Sequence, residues 1–188
     1  QYPNMGRELY EVEPVYRSVV DACCEVLAEP LGLDLRTLLY PQAGDEQSAA
    51  DELKRTSLTQ PALFVTEYAL TQLLAEWGIR PVAMVGHSIG ELVAACVSGV
   101  LERDAALRLV AERGRLMESA PSGVMVSVLA SAEQARAYEG EGIWLSVVNG
   151  PQACVLSCTH EAVAELESRL EADEIACQRL QTSHAFHC

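Results

Sequence analysis

The sequence is short of several things. Of its 13 basic residues Lys54 is the only lysine, and 27 acidic residues leave a formal charge of −14 over 188 residues. A surface this acidic repels phosphate, which argues against nucleic acid and against a membrane surface as partners. No apolar run is long enough to span a bilayer and the start carries no signal-peptide pattern, so a cytoplasmic location is expected. No C-x-x-C pair occurs, and no Cys pair is matched by a second Cys or His pair at zinc-ligand spacing, so no metal site is expected. The seven cysteines (Cys23, Cys24, Cys96, Cys154, Cys158, Cys177, Cys188) are odd in number and lie mostly among apolar residues. They read as reduced, mostly buried thiols. Repeats and low-complexity tracts are missing too. Hydrophobic residues at 49% and charged residues at 21% exclude a disordered, collagenous or coiled-coil chain. The length suits one domain, or a large and a small lobe.

What is present is periodic. Tyr10 to Leu39 carries apolar residues at three- and four-residue intervals (Val12, Val15, Val19, Cys23, Val26, Leu27), which predicts helix punctuated by Gly32 and Pro41. The polar stretch from Pro41 to Lys54 reads as a surface loop. Thr59-Gln60-Pro61 opens a helix that ends near Trp77-Gly78. Pro81 to Val85, a short apolar run, reads as a strand, and Leu92 to Val97 as a buried helix after a glycine turn. A helix from about Arg103 to Glu118 is expected to turn Ala106, Leu109, Val110 and Leu116 to the core. Beyond Pro121-Ser122-Gly123 the pattern becomes strand (Val124 to Ala130), helix (Ala132 to Tyr138), strand (Ile143 to Val148), strand (Cys154 to Cys158), helix (His160 to Leu170), strand (Ile175 to Thr182). That is the β-α-β-β-α-β order of a ferredoxin-like lobe.

Gly86-His87-Ser88-Ile89-Gly90 fits G-x-S-x-G between an expected strand and an expected helix. The chemistry needs a serine on a strained turn with its hydroxyl exposed, and small neighbours so that the flanking elements can approach. The Ile89 N–H would then face a developing oxyanion, aided by the helix start. A serine also needs a base. His87 adjoins it on the turn and is assigned to lining the site, and His160 begins a polar helix. His184 and His187 follow the last strand, where a chain returns from a small lobe to a large one. The residues alone leave either as the base.

Six stretches in order now carry a resemblance over the whole chain: Gln1-Tyr2-Pro3-Asn4-Met5-Gly6, Thr59-Gln60-Pro61-Ala62-Leu63-Phe64, Gly86-His87-Ser88-Ile89-Gly90-Glu91, Arg113-Gly114-Arg115-Leu116-Met117, Val148-Asn149-Gly150-Pro151 and His184-Ala185-Phe186-His187. The chain resembles an acyltransferase domain of a modular type I polyketide synthase, and is similar to malonyl-CoA:acyl-carrier-protein transacylases. The resemblance implies an α/β fold: an α/β-hydrolase-like lobe with a parallel sheet (1–122), an inserted ferredoxin-like lobe (123–183) and a return segment (184–188). It implies Ser88 as nucleophile, His187 as general base and Arg113 as partner of the acyl carboxylate. A guanidinium holds a carboxylate through two parallel bonds, so acetyl groups would leave it unpaired. Gln60, His87, Ile89, Asn149, His184 and Phe186 are expected to line the pocket.

The implied reaction is ping-pong transfer of a malonyl unit from CoA to the phosphopantetheine thiol of an acyl carrier protein, in secondary-metabolite biosynthesis, with no permanently bound cofactor. The His184-to-His187 motif goes with malonyl in the family, and Phe186 leaves less room for the α-methyl of methylmalonyl. Neighbouring synthase domains, a ketosynthase among them, are implied in the same polypeptide. So is chain beyond both ends, including a Gly-Gln-Gly glutamine as second oxyanion donor before Gln1. Two rivals are a serine esterase or thioesterase, against which the lack of an HGGG-like segment counts, and a catalytically silent docking module.

Overall fold

The computed structural model describes residues 1–180, 182 and 184–187. Gln181 of the expected last strand, Ser183, and the seventh cysteine, Cys188, lie outside the described residues. The chain divides into two units, Gln1–Ser119 and Ala120–Cys188.

The first unit is built from helices: α1 (Arg7–Val12), α2 (Pro14–Leu31), α3 (Arg36–Leu39), α4 (Glu46–Glu52), α5 (Thr56–Glu76), α6 (Ile89–Val97) and α7 (Arg103–Ser119). α2 starts on Pro14, whose missing N–H costs nothing in a first turn, and ends at Gly32, whose φ of 69° suits glycine. Its buried stripe of Tyr16, Val20, Cys23, Cys24 and Leu27 meets Phe64, Val65, Ala69 and Leu73 of α5 and Ala106, Leu107 and Val110 of α7.

Four expectations are corrected here. The polar loop contains α4, a helix with no apolar stripe to betray it, since Ala49 is its one buried residue. α5 begins at Thr56, so Pro61 lies inside it. There the ring supplies no N–H to the Ser57 carbonyl, and burial of the surrounding face outweighs that loss. In α7, Leu109 and Leu116 are exposed, because Ala106, Leu107, Val110 and Ala111 define the inward face. The expected strand at Pro81 to Val85 does not form. A strand needs a hydrogen-bonded neighbour. Among the described residues, none in the first unit offers one, and Val82 and Val85 are almost fully exposed.

The second unit holds β1 (Val124–Val128), α8 (Ala132–Arg136), β2 (Ile143–Gly150), β3 (Ala153–Cys158), α9 (Val163–Ala172) and β4 (Cys177–Arg179). The four strands form an antiparallel sheet in the order β2-β3-β1-β4. Alternation turns Val126, Val128, Cys154, Leu156 and Cys158 onto one face, where they pack with Val163, Leu166 and Leu170 of α9. Ser131 caps α8 through a reciprocal capping box with Gln134. β2 carries register shifts at Leu145/Val147 and Val148/Gly150, which leave Ser146 and Asn149 unpaired in the ladder. Among the described residues no helix is long and apolar enough to cross a membrane.

Candidate active site

Ser88 is the N-cap of α6 and has φ 54° and ψ −109°. Such a backbone costs of order 1–3 kcal/mol and persists only where the surroundings enforce it. The enforcing contact is at Gly86. A Cβ there would lie 2.1 Å from the Glu91 nitrogen and 2.2 Å from the Gly90 carbonyl carbon, so only glycine lets the extended segment touch the first turn of the helix. Two turn bonds close the loop, Gly90 N–H to the His87 carbonyl at 3.0 Å and Glu91 N–H to the Ser88 carbonyl at 3.2 Å. Ile89 buries its side chain, and among the described residues no backbone carbonyl accepts its N–H. His87 is exposed and lines, with Glu67, Thr71, Met84, Gly90 and Val93, a groove of about 630 Å³ beside the turn. The Glu67 carboxyl in that groove is pushed above its usual range by burial.

A second group sits between α5 and α7. Arg113 donates to the Gln60 amide oxygen, and the Gln60 amide nitrogen donates to the Met117 thioether at 3.2 Å. Gln60 is 6% exposed and Arg113 half-buried. Burial alone lowers the Arg113 pKa, and among the described residues no carboxylate offsets it. A half-buried cation held by a neutral partner has unspent capacity for an anion. Met117 is a member that the sequence does not single out, because the burial that makes the Gln60 amide need an acceptor exists only in the fold.

The remaining expected residues lie in the second unit. His187 is exposed with φ 62°, and the rings of His184 and Phe186 stack with centroids 6.3 Å apart. Asn149 is exposed at the second register shift of β2. The expected dyad is thus divided, Ser88 in one unit and His187 in the other. Among the described residues no group of three or more His, Cys, Asp or Glu side chains is arranged to hold a metal ion.

Comparison with known proteins bears on this arrangement. The sequence profile described as "Acyl transferase domain" matches residues 1–188. Polyketide synthase GfsB of Streptomyces halstedii is 42% identical over 194 residues, which cover all of this chain and 3% of that protein. The acyltransferase domain from the second module of the salinomycin polyketide synthase is 44% identical with a TM-score of 0.89, covering all of this chain and 43% of that one. The acyltransferase domain of SpnD, solved in complex with 2-(pent-4-yn-1-yl)malonyl, is 44% identical with a TM-score of 0.86, covering 98% of this chain and 43% of that one. The chain therefore spans under half of those solved domains and a few per cent of the large synthase. Its α/β fold, many helices with a small antiparallel sheet, is shared with them. Matched along its whole length, the chain belongs to the acyl transferase domain family.

Proposed function

We propose that this chain carries the catalytic core of a polyketide synthase acyltransferase that moves a malonyl unit from CoA to an acyl carrier protein. The observation that carries the reading is Arg113, a half-buried cation fixed by Gln60 and offset by no carboxylate among the described residues. The malonyl-type group with which the SpnD domain was solved supports the same class of acyl group. In this reading residues 1–122 belong to an α/β-hydrolase-like lobe, completed by a parallel sheet, and residues 123–183 form a ferredoxin-like lobe. The order β2-β3-β1-β4 favours the latter. The segment 184–188 is the return segment that carries the base.

His187 takes the Ser88 hydroxyl proton as the oxygen attacks the thioester carbonyl. The Ile89 N–H stabilises the oxyanion. The carbon–sulfur bond breaks, and the CoA thiolate recovers the proton from His187. The phosphopantetheine thiol of the carrier then gives its proton to His187 and attacks the ester, and Ser88 regains a proton as it leaves. Phe186 favours malonyl over methylmalonyl by bulk, a discrimination of about 1–3 kcal/mol for one methyl group. The partners are the carrier protein and neighbouring synthase domains, ketosynthase included, in a cytoplasmic assembly. No permanently bound cofactor takes part.

Intact-mass spectrometry after mixing with malonyl-CoA tests this. A malonyl adduct on the native protein that Ser88→Ala lacks is expected. Equal labelling of both proteins, or fast hydrolysis of simple esters without carrier, would replace the reading with another.

A further inference from the structure

We infer that Ser157 and Gly123 are positioning residues for His187, forming a seat on the face of the sheet opposite α8 and α9 that fixes the peptide carrying this side chain. The inference rests on the reading of His187 as the base.

β3 is an inner strand, and Ser157 pairs with Met125 of β1 on one side and Trp144 of β2 on the other. Its neighbours Leu156 and Cys158 face the helices, so alternation sends the Ser157 side chain to the opposite face. Ser157 is wholly buried there, and its hydroxyl donates to the Phe186 carbonyl at 3.0 Å. That carbonyl belongs to the peptide unit joining Phe186 to His187, so one bond orients the plane from which His187 departs. The second contact is Gly123, just before β1. A Cβ there would meet the Ala185 Cβ at 2.6 Å and the Ala185 nitrogen at 3.2 Å. The segment therefore lies directly against the backbone at Gly123.

Two features show that the seat constrains the chain. Leu180 N–H still bonds the Met125 carbonyl at 2.8 Å, on the β4 side of β1, whereas Phe186 lies on β3. The chain has crossed β1 by that point. His187 then has a φ of 62°, a conformation that a non-glycine residue keeps only when held. A buried serine in the otherwise apolar run Cys154-Val155-Leu156-Ser157-Cys158 is accounted for by this bond, since a buried hydroxyl needs a partner.

The test has two readouts. Imidazole carbon–proton resonances report His187 directly, assigned through His187→Gln. Ser157→Ala and Gly123→Ala should each move that resonance, with β1 and β3 amide resonances showing the sheet intact. Ser127→Ala, the same substitution on the same face of β1, should leave it in place. In acyl loading from malonyl-CoA, the first two variants should load about 10- to 100-fold more slowly at saturating donor. Their KM should stay within about twofold, because both act on the base and Arg113 is the group assigned to bind the acyl carboxylate. If Gly123→Ala does not fold, Ser157→Ala decides alone. A His187 resonance at its wild-type position in Ser157→Ala, or full loading rate in that variant, overturns the inference. A wild-type protein that never labels Ser88 would remove the transferase reading instead, and the resonance would still decide whether the seat holds His187.

Discussion

Arg113 differs from most arginines of this chain. Arg36 is held by Asp21 and Asp34, Arg55 by Glu52 and Glu118, and Arg179 by Glu167, so their charges are satisfied within the fold. Arg113 leans on an amide and pays for its partial burial without an anion. Arg113→Ala should therefore lower kcat/KM for a malonyl donor by about 2–3 kcal/mol, the scale of a charged hydrogen-bonded contact, and leave an acetyl donor nearly unchanged. Comparing the two donors on the variant checks it; equal losses for both would assign Arg113 a structural role. At this scale the sequence is readable where spacing is local. The turn at Gly86 to Gly90 announces itself by small residues around a serine, and the positive φ of Ser88 follows from that crowding. The partners of Gln60 do not announce themselves. Arg113 and Met117 are more than fifty residues away, and only the packing of α5 against α7 brings the three together.

Elements divide by where their stabilising contacts lie. The second unit is legible because its strands are short apolar runs set apart by polar connections, with Asn149-Gly150-Pro151 marking the β2–β3 hairpin, so the six elements follow in the expected order with ends shifted by a few residues. α4 has no such signature, and its polar residues form a helix only because Ala49 and Leu53 reach the core at its end. The segment from Pro81 to Val85 has the composition of a strand, yet pairing is a property of two segments and sequence shows one. α6 depends on the closeness of that segment. Gly86→Ala would force a carbon into backbone atoms that cannot rotate aside, so it should destabilise the first unit by about 3 kcal/mol or more. Denaturant titration followed by helix circular dichroism would show it, and a midpoint equal to wild type would mean that the turn relaxes freely.

Taken whole, the molecule guards its thiols unevenly. Among the described residues Cys23, Cys24, Cys96, Cys154 and Cys158 are buried and Cys177 is exposed. Desolvation pushes the Cys23 and Cys24 thiols up to about 12, from 9.0. Between those values the native state holds protons that the unfolded chain releases, so stability is present below about pH 9 and is lost as pH climbs toward 12. The slope is about 1.4 kcal/mol per pH unit for each thiol. Denaturation midpoints at pH 8, 9 and 10 should fall, and fall less steeply in Cys23→Ala and Cys24→Ala; an unchanged slope in both variants would trace the loss elsewhere. The bare segment at Val82 to Val85 has a colloidal consequence. Among the described residues no strand pairs with this apolar, uncharged segment and its valines are almost fully exposed, so it is an open edge to which a further strand can add, whether the rest of the proposed parallel sheet or, in this span of chain alone, a second copy. The charge of −14 opposes that pairing between copies at neutral pH, so a solution of this chain should grow more prone to associate as pH drops toward the isoelectric point near 4.6.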